Sequence, residues 1–198
     1  EVDGEPVVAA IYDPNRRELF TAERGQGAWL NGAPLRVSAA ATLIDSLLVT
    51  GFHYDVQKDP GSVMDLFAAF ISRARAVRRL GSAALDLAYV AAGRFDGFWE
   101  DLLKPWDMAA GVLIVREAGG RVTKSDGGTF DVNTSDLLAS NGRPILPIFT
   151  VQRLTYPERK VLEDNPEWTF DFPPPIFNAF PSSDTYAKPK DDDIQVNL

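Results

Sequence analysis

Cysteine is absent from all 198 residues, and histidine occurs once. The first absence excludes disulfides, thiolate metal sites and a cysteine nucleophile, and it fits a reducing compartment. The second leaves a histidine-based triad or zinc site without its other members, so His53, in the loop after Gly51-Phe52, reads as a solvated loop residue. No apolar run reaches membrane-spanning length, and the first residues lack the basic-then-apolar pattern of a signal peptide. The expected location is therefore the cytoplasm, with no membrane partner. Basic residues are outnumbered: the formal charge is −8, which argues against nucleic acid as a partner. Neither a GxxxxGK[ST] loop nor a GxGxxG fingerprint occurs, and Gly25-Gln26-Gly27 is a turn that opens no helix. An acidic chain without these devices needs metal ions or backbone N–H groups to hold a phosphate.

What is present has the profile of a folded domain, with 45% hydrophobic and 24% charged residues. Its length suits one domain with a small appendage. Residues 1–38 read as an antiparallel meander. Glu1 to Glu5 resembles a hairpin turn, Val7 to Tyr12 a strand, Asp13-Pro14-Asn15-Arg16 a turn, and Glu18 to Thr21 the next strand. Ala28-Trp29-Leu30 and Leu35-Arg36-Val37 flank Asn31-Gly32, a pair that favours the mirror-image turns of hairpins. A turn at the very start needs a strand before it, absent here or supplied by another chain.

From Ser46 the texture changes to short apolar runs alternating with helical patterns. Ser46 to Thr50 is a buried-type strand. Ser62 caps a helix to about Arg73, with Val63, Leu66, Phe67 and Phe70 on one face. Ala76 to Leu80, Phe95 to Glu100, Arg121 to Thr123 and Leu137 to Ser140 complete the strands. A helix from Ala83 to Ala92, capped by Ser82, ends at Gly93. This alternation predicts α/β layers with crossover connections. Beyond Asn141 the composition shifts again: nine of the 14 prolines lie at or after Pro144, and Asp191-Asp192-Asp193 forms an acidic run. Leu154 to Leu162 suits a short helix, and the rest of 144–198 reads as an extended or disordered tail.

The stretch around which the chain is organised is Trp106 to Gly120. Asp107 is placed to cap a helix whose body is apolar and so buried, and Gly119-Gly120 ends it. Ala109, Ala110 and Gly111 crowd the first turns with small side chains, which lets another element approach closely. Asp107 is either a cap alone or part of an ion site at the helix mouth. The Gly81-Ser82-Ala83 turn, Glu100 and Asp107 each fall where a strand's carboxyl end meets a loop or helix, the place where open α/β sheets bind ligands. Carboxylates converging there would suit magnesium, which takes a few hard oxygens plus water and phosphate.

Trp106-Asp107-Met108-Ala109-Ala110-Gly111 with Glu117-Ala118-Gly119-Gly120 resembles the C-terminal signature of the inositol monophosphatase family. Ile11-Tyr12-Asp13-Pro14, Glu18 to Ala22, Gly25 to Ala28, Leu30-Asn31-Gly32, Gly51 to Asp55, Gly81 to Asp86 and Gly97 to Glu100 continue the likeness in order, over about residues 4–143. The resemblance implies a layered αβαβα sandwich and magnesium-dependent hydrolysis of a small phosphomonoester, such as inositol monophosphate. It implies that Asp107 binds a catalytic Mg2+, that Glu100 contacts substrate hydroxyls, and that Gly81, Ser82 and Ala83 form the turn whose backbone meets the substrate. Similar motifs occur in proteins that handle histidinol phosphate, fructose bisphosphate and phosphoadenosine phosphate. The family's Asp-Pro-x-Asp-Gly-Thr metal loop and its upstream glutamate do not occur, and Asp13-Pro14-Asn15-Arg16 is no substitute. The expectation is thus a partial sandwich, the C-terminal portion of such a domain over 1–143. Its catalysis would be impaired or absent in this chain alone, and a homodimer or a complementing chain would be its macromolecular partner. The alternative is a non-catalytic binding or assembly module.

Overall fold

The computed structural model describes residues 2, 5–58 and 61–143. The expected helix at 154–162 and the tail lie outside the described residues.

The meander forms as its turn residues dictate. β1 (Val8–Asp13), β2 (Glu18–Glu23), β3 (Gly27–Leu30) and β4 (Ala33–Pro34) pair antiparallel in that order. Val2 and Glu5 exchange both backbone hydrogen bonds in an antiparallel bridge. At the β3–β4 hairpin Asn31 and Gly32 have φ of 49° and 84°, the two positive values that a type I′ turn requires. The Asn31 side-chain oxygen also accepts from Leu19 N–H at 2.8 Å. The strand expected at 35–37 is replaced by β4. Leu35 N–H still reaches Ala28, but Val37 N–H donates to the Ala118 carbonyl, so the chain leaves the ladder to tie down a helix end. Period-2 alternation sends Ala9, Phe20, Ala22 and Ala28 inward and leaves Val8, Tyr12 and Leu19 exposed.

The second sheet holds β5 (Leu47–Thr50), β6 (Ala76–Arg78), β7 (Gly97–Asp101), β8 (Arg121–Thr123) and β9 (Asp136–Ser140), in the order β6-β5-β7-β9-β8. β5 is parallel to both β6 and β7, joined through α1 (Gly61–Ile71) and α2 (Ala83–Ala91). These are the crossovers that the alternating pattern predicts. β9 is antiparallel to β7 and β8. Helix α1 begins at Gly61, so Ser62 lies inside it and is not its cap.

Helix α3 (Pro105–Glu117) corrects a second cap assignment. Its N-cap is Lys104, and Asp107 stands at the third helical position. The cause is Pro105, whose fixed φ and missing N–H suit the first helical position. From there the Asp107 carboxylate reaches back to accept Lys104 N–H at 2.9 Å. It caps the helix from inside the first turn, where the helix dipole favours an anion.

Alternation along the second sheet builds both faces. Val49, Phe98, Leu137 and Ala139 join the core that holds α2, α3 and the inner face of the meander. Leu48, Val77, Trp99 and Leu138 point the other way, against Leu66 and Phe70 of α1. The described residues thus stack as sheet, helix pair, sheet and helix. The helices of the pair meet where small residues allow it: a Cβ on Gly111 would lie 2.6 Å from Leu87 Cβ.

Candidate active site

Three connections converge where β5 and β7 end and α2 and α3 begin. Gly81 turns the chain into α2 with φ of 90° and open space around it, so glycine is needed there for conformation alone. Ser82 then takes extended N-cap geometry, and its hydroxyl accepts Leu85 N–H at 3.5 Å. Helix geometry leaves the N–H groups of Ala83 and Ala84 without an intrahelical acceptor. They are donors at the positive end of a nine-residue helix, suited to a hydroxyl or anionic oxygen.

Glu100 sits in β7 between Leu137 of β9 and the end of β5. It shares a face with Phe98 and so looks toward the helix pair. Burial pushes its carboxyl up to about 7, the nearby Asp107 charge adds to the rise, and Arg79 opposes it. The Arg79 guanidinium lies 4.0 Å above the Phe52 ring, which places a cation beside this corner of the sheet. After β7 the chain turns sharply. Leu102 has φ of 60°, a left-handed conformation costing a branched residue roughly 1–2 kcal/mol. Leu103 then folds inward and its N–H meets the Ser135 carbonyl at 3.0 Å. This tight link brings Asp107 back toward Glu100.

The structure therefore gathers Glu100 and Asp107 electrostatically, with the α2 turn beside them. Magnesium is a separate question. Among the described residues no group of three or more His, Asp or Glu side chains is arranged to hold a metal ion. Magnesium demands near-octahedral oxygen coordination and seldom rests on one carboxylate. The described residues do not fit a complete magnesium site.

Reading the residues alone missed two members of this corner. Asp86, in the first turns of α2, is 1% exposed, and neither carboxylate oxygen has a hydrogen-bond partner among the described residues. Burial pushes its pKa up to about 7, with the Glu100 charge adding to it. Its signal was a lone acid inside the apolar run from Ala83 to Ala92. Gly51 is the second. Its place beneath Glu100 follows from sheet register, which no local pattern displays. His53 also departs from expectation: it is partly buried, and its Nδ1 is enclosed without a partner among the described residues.

The described residues thus form a layered α/β sandwich with acidic residues and a helix mouth gathered at its strand ends. The sequence pattern of the inositol monophosphatase family matches residues 1–155, and the chain belongs to that family. It is 49% identical over 144 residues to the Nus factor SuhB of Salmonella typhimurium, covering 73% of this chain and 54% of that one. It is equally identical, 49% over 138 residues, to an inositol-1-monophosphatase of Synechocystis, covering 70% and 48%. An inositol monophosphatase structure from Anabaena (Nostoc) superposes with a TM-score of 0.73 at 43% identity, over 79% of this chain and 64% of its own. The chain spans about half the length of the curated relatives it matches. Among the described residues no helix is long and apolar enough to cross a membrane.

Proposed function

We propose that residues 81–83, Glu100 and Asp107 belong to a phosphomonoesterase site, of which this chain carries the substrate-holding part. The substrate class is a small polyol or sugar phosphate such as inositol monophosphate. One observation carries the reading: the α2 mouth, which offers N–H donors, and Glu100, a carboxyl acceptor, lie at the same strand ends. A polyol has hydroxyls that donate and accept, so it can engage both at once. Asp107 supplies one carboxylate of the metal-binding half and no more. Residues 1–143 then form the C-terminal portion of the family's domain.

The test needs no metal. Adding millimolar inositol 1-phosphate to the 15N-labelled chain should shift the amides of Ser82, Ala83 and Ala84, and Glu100→Gln should suppress those shifts. Shifts confined to other residues would refute the assignment. Repeating the titration with histidinol phosphate and fructose 1,6-bisphosphate ranks the substrates.

A second reading, a binding or assembly module, is favoured by one surface. Tyr12 and Leu19 are cross-strand partners, 57% and 41% exposed, and Val8 is 69% exposed further along β1, which is the outermost strand of its sheet. Such an edge and apolar face favour association. Light scattering decides: a monomer at all concentrations counts against this reading.

A further inference from the structure

We propose that Gly51 is a positioning residue for Glu100, offering the bare α-carbon against which that carboxyl group rests. The proposal builds on the reading of Glu100 as the acceptor for substrate hydroxyls, although the contact itself is independent of it. A Cβ on Gly51 would lie 2.0 Å from Glu100 Oε2, 2.2 Å from its carboxyl carbon and 2.4 Å from Oε1. All three atoms are met together, so the carboxyl group lies across the glycine and does not merely touch it with one oxygen. Gly51, unlike Gly81, has no left-handed φ. It is glycine for space, whereas Gly81 is glycine for conformation.

Sheet register explains the contact. β5 and β7 run parallel with Leu48 beside Gly97, Val49 beside Phe98 and Thr50 beside Trp99. One step further along both chains sets Gly51 beside Glu100. On the other flank Glu100 pairs with Leu137, which is fully buried and apolar. The carboxyl group therefore turns toward the glycine. The buried Thr50 hydroxyl fixes this junction, donating to the Trp99 carbonyl at 2.7 Å and lying 3.1 Å from the Gly51 carbonyl. The surrounding charges do not hold the group in place. Asp107 and Asp101 repel it, Arg79 attracts it, and its own charge acts on the buried Asp86.

A methyl group at position 51 would displace the carboxyl group from the place where it rests. The atoms it meets are the far end of a flexible side chain, so Glu100 swings aside while the backbone stays. Gly51→Ala should then move the carboxyl group with little loss of stability.

The test compares the parent chain with Gly51→Ala, following the Glu100 carboxyl by 13C NMR, its resonance assigned through Glu100→Gln. In Gly51→Ala the Glu100 titration midpoint should fall toward that of an exposed glutamate, and the amide shifts caused by inositol 1-phosphate at 82–84 should shrink at least about tenfold in apparent affinity. An unmoved midpoint overturns the proposal. A moved midpoint with undiminished inositol 1-phosphate binding upholds the contact and refutes the hydroxyl-acceptor role of Glu100, so the two failures are told apart. If Gly51→Ala does not fold, the Gly51→Ala/Glu100→Ala double variant decides. Recovery of folding when the glutamate is shortened supports the contact, and an equally unfolded double variant overturns it.

Discussion

Asp86 offers the sharpest test of the energetics at this corner. The substitution is Asp86→Asn, which keeps the shape and removes the charge. Folding raises the carboxyl from an ordinary 3.8 to about 7, chiefly because the group is buried without a donor. Between those values the folded state holds a proton that the unfolded chain has released, so stability falls as pH rises through that window. About three pKa units at 1.36 kcal/mol each make the whole loss on the order of 4 kcal/mol, a large share of a typical domain's stability. Roughly 2–3 kcal/mol of it falls between pH 5 and pH 8. Asn carries no such penalty. Urea denaturation of both proteins at pH 5, 6, 7 and 8 should show Asp86→Asn gaining on its parent by that 2–3 kcal/mol as pH rises. The difference between the proteins cancels the titration of groups far from Asp86. A gap that stays constant with pH would refute the reasoning, and would mean that Asp86 has a donor in solution.

Other expectations follow from the same geometry. Asp13 accepts hydrogen bonds from Tyr89 Oη, Arg16 and Asn15, which hold its pKa down to about 2 against an ordinary 3.8. Its contribution is present above pH 4 and lost as pH falls through 2, so Asp13→Asn should cost more at pH 7 than at pH 2 in thermal melts. Gly111→Ala would drive a methyl into Leu87 Cβ, and such overpacking costs about 1–3 kcal/mol; calorimetry should show a lower Tm without a change of fold. The Glu117 carboxylate accepts Gly25 N–H at 2.9 Å and Gly27 N–H at 3.0 Å, strapping the β2–β3 turn to the end of α3. Glu117→Ala should release that turn, which limited proteolysis would report as faster cleavage near Arg24.

How much of this was legible in the sequence depends on how local each cause is. The Asn31-Gly32 hairpin, the βαβ crossovers and the Ser82 cap with Gly93 at the far end rest on neighbouring residues, and the structure has them as expected. Gly111 announced a close approach, and Leu87 is what approaches. Asp107 stands three positions further into its helix than the cap expected of it, because the preference of Pro105 for the first helical position outweighs the acid's preference for the cap. Gly51 and Asp86 lay beyond local reading for a different reason. One acquires its meaning from the β5–β7 register, and the other from burial by elements distant in the chain.

On the proposed function, this chain gathers the substrate-holding residues of a phosphomonoesterase site without a complete magnesium site among its described residues. The most direct measurement is phosphate release from inositol 1-phosphate by the purified 198-residue chain, with and without magnesium, beside Asp107→Asn. Release should stay at background level in every case, while inositol 1-phosphate still shifts the amides of residues 82–84. Magnesium-dependent turnover that Asp107→Asn abolishes would contradict this reading.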